Sequence, residues 1–235
     1  MSRIVAYGDS FTVGQGLDLN NLTPEIPDKN SWPYLLAKSL NFDCSNRACC
    51  GIGNKHIWHV VLNSEHKKDD TVILCWSFPD RLGILTDAYT PDCYPETRLS
   101  DDSSVGIYQD DIYTIGPWGQ EEPVINYYSH LHNSTDGFIN TLLYMNHVDT
   151  YLKNIGVNKI IHTAVPYVPE YEMLSEVKFS SEIWNNTHIS NPHWNNISMP
   201  FTMTGASMRF GEAHDGHISA KAHKFYAAQL LTILS

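Results

Sequence analysis

Short, predominantly apolar runs are the feature of this sequence that most constrains its fold. Residues 71–76 read Thr-Val-Ile-Leu-Cys-Trp, and residues 3–7 read Arg-Ile-Val-Ala-Tyr and stop at Gly8. A short run without polar alternation is typical of a strand covered on both faces of a parallel sheet. Both runs therefore predict buried strands, and the glycine predicts that the first strand ends in a turn.

Helix-like segments alternate with such strands along the chain. Strands are predicted over residues 3–7, 42–48, 71–76 and 158–165, and helices over 32–40, 55–64, 134–156 and after Ser219. The longest helix carries apolar residues three or four apart, from Phe138 to Leu152. This alternation predicts a parallel sheet flanked by helices, in a single domain that spans residues 1–235.

Two irregular stretches interrupt the alternation. Residues 83–133 are rich in Asp, Pro, Tyr and Gly, and residues 170–212 carry many Asn and His. We interpret both as long loop insertions, the first with a hairpin over one end of the sheet. Three tryptophans in these stretches are interpreted as loop anchors that would also suit stacking on sugar rings: Trp118, Trp184 and Trp194.

Charge and composition exclude several classes of protein. The chain has 26 acidic and 15 basic residues, a formal charge of −11, and no Lys/Arg cluster of the kind that phosphate binding requires. We therefore expect neither a nucleic-acid nor a membrane partner. No apolar stretch is long enough for a signal peptide or a spanning helix, so a cytoplasmic or virion-associated protein is expected. The five cysteines are predicted to be reduced, and the histidine pairs lack the companions of a metal site.

Polar residues follow three of the predicted strands. Asp9-Ser10 follows the first, residues 51–54 follow the second, and residues 77–81 follow the third. Ligands of parallel sheets bind beyond the carboxyl ends of the strands. A serine nucleophile there needs a base, a group that orients the base, and oxyanion donors. Gly8 would allow a tight turn that exposes the Ser10 hydroxyl; an ordinary strand-to-loop turn is the alternative.

Three blocks of the chain resemble SGNH/GDSL hydrolases. Residues 8–12 (Gly-Asp-Ser-Phe-Thr) resemble the first block, 46–51 (Asn-Arg-Ala-Cys-Cys-Gly) the second, and 214–219 (His-Asp-Gly-His-Ile-Ser) the last. The blocks occur in the family's order, and the resemblance runs from residue 3 to residue 234 with both insertions unmatched. Ser-Trp-Pro at 31–33 and Gly-Ile-Gly-Asn at 51–54 resemble a subgroup common in phages and marine bacteria.

The resemblance implies a fold and a set of roles. The fold is a flavodoxin-like three-layer α/β/α sandwich, the SGNH hydrolase fold. Ser10 is implied as the nucleophile, His217 as its base and Asp215 as the group that orients the base. The backbone N–H groups of Ser10 and Gly51 would bind the oxyanion. Asp215 stands two residues before His217, whereas the usual spacing is three. No cofactor or metal is implied.

The third block departs from the family. Its pattern is Gly-X-Asn-Asp, with the Asn side chain as an oxyanion donor, but residues 76–81 here read Trp-Ser-Phe-Pro-Asp-Arg. Loss of one such donor costs about a hundredfold in rate or more. Several residues are candidates for the missing donor or for additional contacts: Gly53, Asn54 and Ser77 for the oxyanion, Arg81 for the oxyanion or substrate, and Asp9 for substrate.

The resulting hypothesis is hydrolysis of small acyl esters, with acetyl groups on carbohydrate as the leading substrate class. The expected partner is thus a small-molecule or glycan ester. The alternative is a binding or structural module, such as a phage virion component whose third block has degenerated and which has oligomeric or virion partners. The intact Ser10, Gly51, Asp215 and His217 oppose that alternative.

Overall fold

The computed structural model describes residues 2–18, 27–85, 107–109, 112–157, 159–165 and 217–234. The strands are β1 (Arg3–Tyr7), β2 (Asp43–Asn46), β3 (Asp70–Trp76), β4 (Leu82–Leu85), β5 (Ile107–Gln109), β6 (Ile112–Ile115) and β7 (Lys159–Ala164). The helices are α1 (Ser10–Val13), α2 (Trp32–Leu40), α3 (Asn54–Leu62), α4 (Glu122–His130), α5 (Ser134–Asn154) and α6 (Ala220–Leu234).

The central sheet is parallel, with strand order β2-β1-β3-β7. All four of its strands lie where the sequence predicts strands, within a few residues at each end. After β2, the chain returns past β1 to add β3 on the other side. The carboxyl ends of β1 and β3 therefore flank the topological switch point, where α/β sheets bind ligands.

Helices cover both faces of the sheet, as expected for strands without polar alternation. Along β3, Ile73 packs with the core under α2 and α6, whereas its neighbours Val72 and Leu74 pack with the core under α3 and α5. Every residue of β3 is buried. The predicted three-layer α/β/α sandwich is confirmed. The switch point lies at the carboxyl edge of the sheet, which is the middle layer.

The start of α2 is held by a side chain from the other end of the chain. Ser31 occupies the cap position but makes no side-chain cap hydrogen bond. The first helical N–H, that of Trp32, donates instead to Nδ1 of His223 in α6, at 3.1 Å. Ser219 caps α6, since its Oγ accepts from the N–H of Ala222 at 3.3 Å. The two helices on this face are therefore joined by a buried polar contact as well as by apolar packing.

The first insertion contains ordered elements. β4, β6 and β5 form a small antiparallel sheet, in which β5 and β6 pair as the predicted hairpin. The sequence pattern does not predict α4, because Val124 is the one buried residue of that helix and gives no apolar stripe. Residues 86–106 and the whole second insertion, 170–212, lie outside the described residues.

Two further predictions concern cysteines and membranes. Cys44, Cys49, Cys50 and Cys75 are free thiols, as predicted, and Cys93 lies outside the described residues. None of the helices in the described ranges is both long and apolar enough to cross a membrane.

Candidate active site

The predicted nucleophile and base lie together at the carboxyl end of β1. Ser10 Oγ is 2.8 Å from Nε2 of His217. Ser10 is the first residue of α1 and is 3% exposed, and the ring of His217 packs against Phe11 at 4.8 Å between centroids. The distance lies within hydrogen-bond reach of a nucleophile and its base. The two residues are 207 positions apart in sequence.

The turn that carries Ser10 is tight and depends on glycine. A Cβ at Gly8 would stand 2.2 Å from Thr12 Oγ1 and 3.0 Å from the carbonyl oxygen of Cys75. Asp9 caps α1, because its Oδ1 accepts the N–H of Phe11 at 3.1 Å. The Ser10 N–H belongs to the first turn of this helix and has no intrahelical acceptor, so it remains available as an oxyanion donor.

The loop after β2 runs beside this turn. The N–H of Arg47 donates to the carbonyl of Ala6 at 2.8 Å, and that of Cys49 to the carbonyl of Gly8 at 3.1 Å. These bonds continue the parallel pairing of β1 and β2 past the ends of the strands. Gly51 follows two residues later with φ of +75°, a conformation that favours glycine. We call residues 47–53 the oxyanion loop, after the role predicted for Gly51.

Asp9 and Arg81, both predicted as substrate contacts, face each other. Asp9 is fully buried, and its Oδ2 accepts from Ser77 Oγ at 2.6 Å and from Arg81 Nη1 at 3.1 Å. Burial lowers the pKa of the Arg81 guanidinium, and the carboxylate of Asp9 acts against that shift. An arginine keeps its charge at physiological pH, so the pair is a buried ion pair beneath the Ser10 turn.

Asn54 is engaged in a separate set of bonds. Its Nδ2 donates to the carbonyl of Ser77 at 3.0 Å and to Thr141 Oγ1 at 2.9 Å, while its Oδ1 accepts the N–H of Ser77 at 2.7 Å. Both amide protons are used in this arrangement, and the Ser77 hydroxyl proton is directed at Asp9. The side chains of Asn54 and Ser77 thus brace the end of β3, and neither has a donor left for an oxyanion.

The remaining predicted residues are Gly53, Asp215 and the three tryptophans, and the structure describes only some of them. Gly53 precedes α3 and lies close to Arg81, whose carbonyl oxygen would be 3.0 Å from a Cβ there. Asp215 lies outside the described residues, as do Trp184 and Trp194. Trp118 is half-buried, and its ring lies on the Arg81 guanidinium, 5.0 Å from centroid to Cζ. Sequence reasoning missed this contact because no local pattern links the two positions.

A polar pocket borders the Asp9–Arg81 pair, between α3, α4 and α5. Its wall includes tyrosines, carboxylates, an amide and a guanidinium: Asp80, Arg81, Tyr127, Asp136, Asn140 and Tyr144. Asn54 also lines it, so the pocket adjoins the braced end of β3. Within the described ranges, no group of three or more His, Cys, Asp or Glu side chains is arranged to hold a metal ion.

Solved structures share this fold. An acetyl xylan esterase from Butyrivibrio proteoclasticus superposes with a TM-score of 0.50 at 15% identity, over 99% of this chain and 63% of that one. A family two carbohydrate esterase from Clostridium thermocellum, in complex with cellohexaose, gives 0.50 at 12% identity over 99% and 63%. This chain thus spans less than two thirds of either. No protein-family model and no curated protein sequence matches the chain. At such identities the likeness establishes a common fold.

Proposed function

We propose that this protein is a serine esterase with Ser10 as the nucleophile and His217 as the base. The observation that carries the proposal is the 2.8 Å contact between Ser10 Oγ and His217 Nε2 at the switch point of the sheet. A free serine hydroxyl is a weak nucleophile, and an adjacent imidazole is the common means of activating it. The resemblance of the three sequence blocks to SGNH/GDSL hydrolases and the fold shared with esterases support the same assignment.

The proposed reaction gives each of these groups a role. Nε2 of neutral His217 accepts the Ser10 hydroxyl proton as Oγ bonds to the ester carbonyl carbon. The backbone N–H groups of Ser10 and Gly51 donate to the oxyanion. The bond between the carbonyl carbon and the alcohol oxygen then breaks, and His217 returns the proton to that alcohol. Water, deprotonated by His217, releases the acyl group and regenerates Ser10. Asp215 would orient the imidazole through Nδ1.

The substrate class we propose is an acetyl ester on a carbohydrate. The polar pocket supports this choice, because tyrosine rings stack on sugar rings while carboxylates and amides bind sugar hydroxyls. Tyr127 and Tyr144 offer the rings, and Asp136 and Asn140 offer the polar groups. The two carbohydrate esterases that share the fold point in the same direction.

Labelling with a fluorophosphonate tests the nucleophile. We expect the wild type to be labelled and to hydrolyse para-nitrophenyl acetate, and the Ser10→Ala variant to lose both. His217→Ala should slow turnover by about 10³-fold or more, since the hydroxyl then has no base. Ser39→Ala is the matched control, because Ser39 is an exposed serine on α2. A wild type that neither labels nor hydrolyses the ester would contradict the esterase and favour a binding module.

Comparison of two substrates tests the carbohydrate. In Tyr144→Ala we expect KM to rise about tenfold for an acetylated xylo-oligosaccharide, because loss of one stacking contact costs on the order of 1 kcal/mol. KM for para-nitrophenyl acetate should not change, since that ester carries no sugar ring. Tyr34→Ala, on the opposite helical layer, should leave both values unchanged. Equal changes for both esters would contradict a sugar site in the pocket.

A further inference from the structure

Arg81 connects two parts of the site that are distant in sequence. One nitrogen, Nη1, donates to Asp9 Oδ2 at 3.1 Å and to the carbonyl oxygen of Ile52 at 3.0 Å. Asp9 immediately precedes Ser10 and caps its helix, and Ile52 immediately follows Gly51. A single buried guanidinium therefore fixes the nucleophile turn relative to the oxyanion loop.

Arg81 is itself held in place by aromatic rings. Its Cζ lies 5.0 Å from the ring centroid of Phe78 and 5.0 Å from that of Trp118. Phe78 also contacts Phe11, which packs on the ring of His217. Cation–π contacts of this kind become stronger when they are removed from water. The guanidinium thus has a fixed position under the Ser10–His217 pair.

The first insertion also contacts the turn after β3, which carries Asp80 and Arg81. Tyr128 Oη donates to the carbonyl of Asp80 at 2.6 Å and lies 3.2 Å from the carbonyl of Ile115. Nε2 of His132 lies 2.9 Å from Asp80 Oδ1. Together with Trp118, these contacts come from residues 115–132, which belong to the insertion that the family blocks do not match. The insertion therefore supports the turn after β3 as well as lying beside the sheet.

The turn after β3 is where the resembled family places its oxyanion asparagine. Here the Asn54 amide donates to the Ser77 carbonyl and to Thr141 Oγ1, and the Ser77 hydroxyl donates to Asp9. The turn also carries the Arg81 guanidinium, a cation in a fixed position. Its Nη1 donates to Asp9 and to Ile52, which lie next to the proposed oxyanion donors Ser10 and Gly51.

We propose that Arg81 is a positioning residue of the esterase site: it holds the Ser10 turn and the oxyanion loop in one geometry. Trp118 of the insertion packs on the Arg81 guanidinium, and Tyr128 fixes the adjoining backbone carbonyl of Asp80. This inference rests on the proposed function. It assigns the insertion a part in catalysis, because misplacement of reacting groups by about 1 Å costs roughly a hundredfold in rate. Arg81 acts through Asp9 and Ile52 and does not touch the reacting atoms.

The test is the split between kcat and KM for para-nitrophenyl acetate. In Arg81→Met we expect kcat to fall about a hundredfold with KM changed less than threefold. Arg81→Lys should recover about tenfold of that loss, because an ammonium keeps the charge but lacks the planar fork. Tyr128→Phe removes one hydroxyl and keeps the ring, and should lower kcat about threefold to tenfold. If Arg81→Met does not fold, the kcat of Tyr128→Phe decides the test.

Arg3→Met is the matched control. Arg3 also bridges strands through an aspartate, with Nη2 2.7 Å from Asp70 Oδ2, but at the opposite end of the sheet. We expect its kcat to equal that of the wild type. Full kcat in both Arg81→Met and Tyr128→Phe, or a change confined to KM, would overturn the positioning role. An unlabelled wild type would overturn the esterase proposal itself, so the two failures are distinguishable.

Discussion

His223 is a buried imidazole that stays uncharged near the candidate base. It is fully buried, and its Nδ1 accepts the N–H of Trp32 at 3.1 Å. Burial, together with a smaller effect of the neighbouring His217, lowers the pKa of His223 to about 3. The neutral form with its proton on Nε2 is therefore the one that caps α2. A cationic ring in the same place would lose this acceptor and repel a charged His217.

This pKa makes stability depend on pH in a definite direction. Because the folded-state pKa lies below the ordinary value of 6.5, the unfolded chain binds a proton first as the pH falls. The free energy of unfolding therefore decreases between about pH 6.5 and pH 3, by up to about 1.4 kcal/mol per pH unit from this group. Above pH 6.5 the group contributes no pH dependence. We expect His223→Gln to reduce the slope in that window.

Urea unfolding at several pH values between 4 and 8 measures that slope. His130→Gln is the control, because His130 is exposed at the end of α4. Its slope should match the wild type. A wild-type slope retained in His223→Gln would show that other groups produce it.

At the scale of elements, α5 and β7 are joined by a buried polar cluster. His162 accepts the indole N–H of Trp76 at 3.1 Å, and its Nε2 lies 3.6 Å from Asp149 Oδ1. Lys153 adds an exposed contact to Asp149 Oδ2 at 2.5 Å. Burial alone would raise the pKa of Asp149, but the bonds from His162 and Lys153 lower it overall. Its stabilising contribution is therefore present above about pH 4 and is lost as the pH falls below that.

Substitutions in this cluster separate its buried and exposed halves. We expect Asp149→Leu to lower the free energy of unfolding at pH 7 by about 1–3 kcal/mol, because it leaves buried His162 with one partner fewer. Lys153→Gln, which removes a half-exposed ion pair, should cost less than about 1 kcal/mol. Urea unfolding of the two variants checks the difference. Equal losses would mean that the surface pair carries the effect.

The elements and site residues differ in how far the sequence alone predicts them. β1 and β3 were predictable because a strand buried on both faces stands out in the sequence as a short apolar run. Ser10 and His217 were predictable because each stands in a recognisable block. Arg81 was named among the site residues, but its bond to Asp9 joins positions 72 residues apart, and no local periodicity encodes such a contact. α4 was missed because a helix with one buried residue lacks an apolar stripe.

At the scale of the whole molecule, the two core clusters share their strands. Ile73 belongs to the cluster beneath α2 and α6, and Leu74, the next residue, belongs to the cluster beneath α3 and α5. Neither face of the sheet can lose its helices without exposing the strand that supports the other face. The described part of the chain should therefore unfold as one cooperative unit.

Paired substitutions on β3 test this cooperativity. Ile73→Ala and Leu74→Ala should each lower the free energy of unfolding by about 2–5 kcal/mol, since both side chains are fully buried. Far-UV circular dichroism and tryptophan fluorescence should give coincident single transitions in the wild type and in both variants. Trp32 and Trp76 report on opposite faces of the sheet. Transitions that separate between the two probes would show that the faces unfold independently.

The sequence distance between Ser10 and His217 has a consequence for biosynthesis. Translation proceeds from the amino terminus, so the ribosome adds His217, the proposed base, 207 residues after Ser10, the proposed nucleophile. For most of its synthesis, the nascent chain holds Ser10 without the imidazole that is proposed to activate it. Under the proposed mechanism, Ser10 becomes reactive toward an electrophile only when the last helix has docked on α2, so covalent labelling of Ser10 would report completion of the fold.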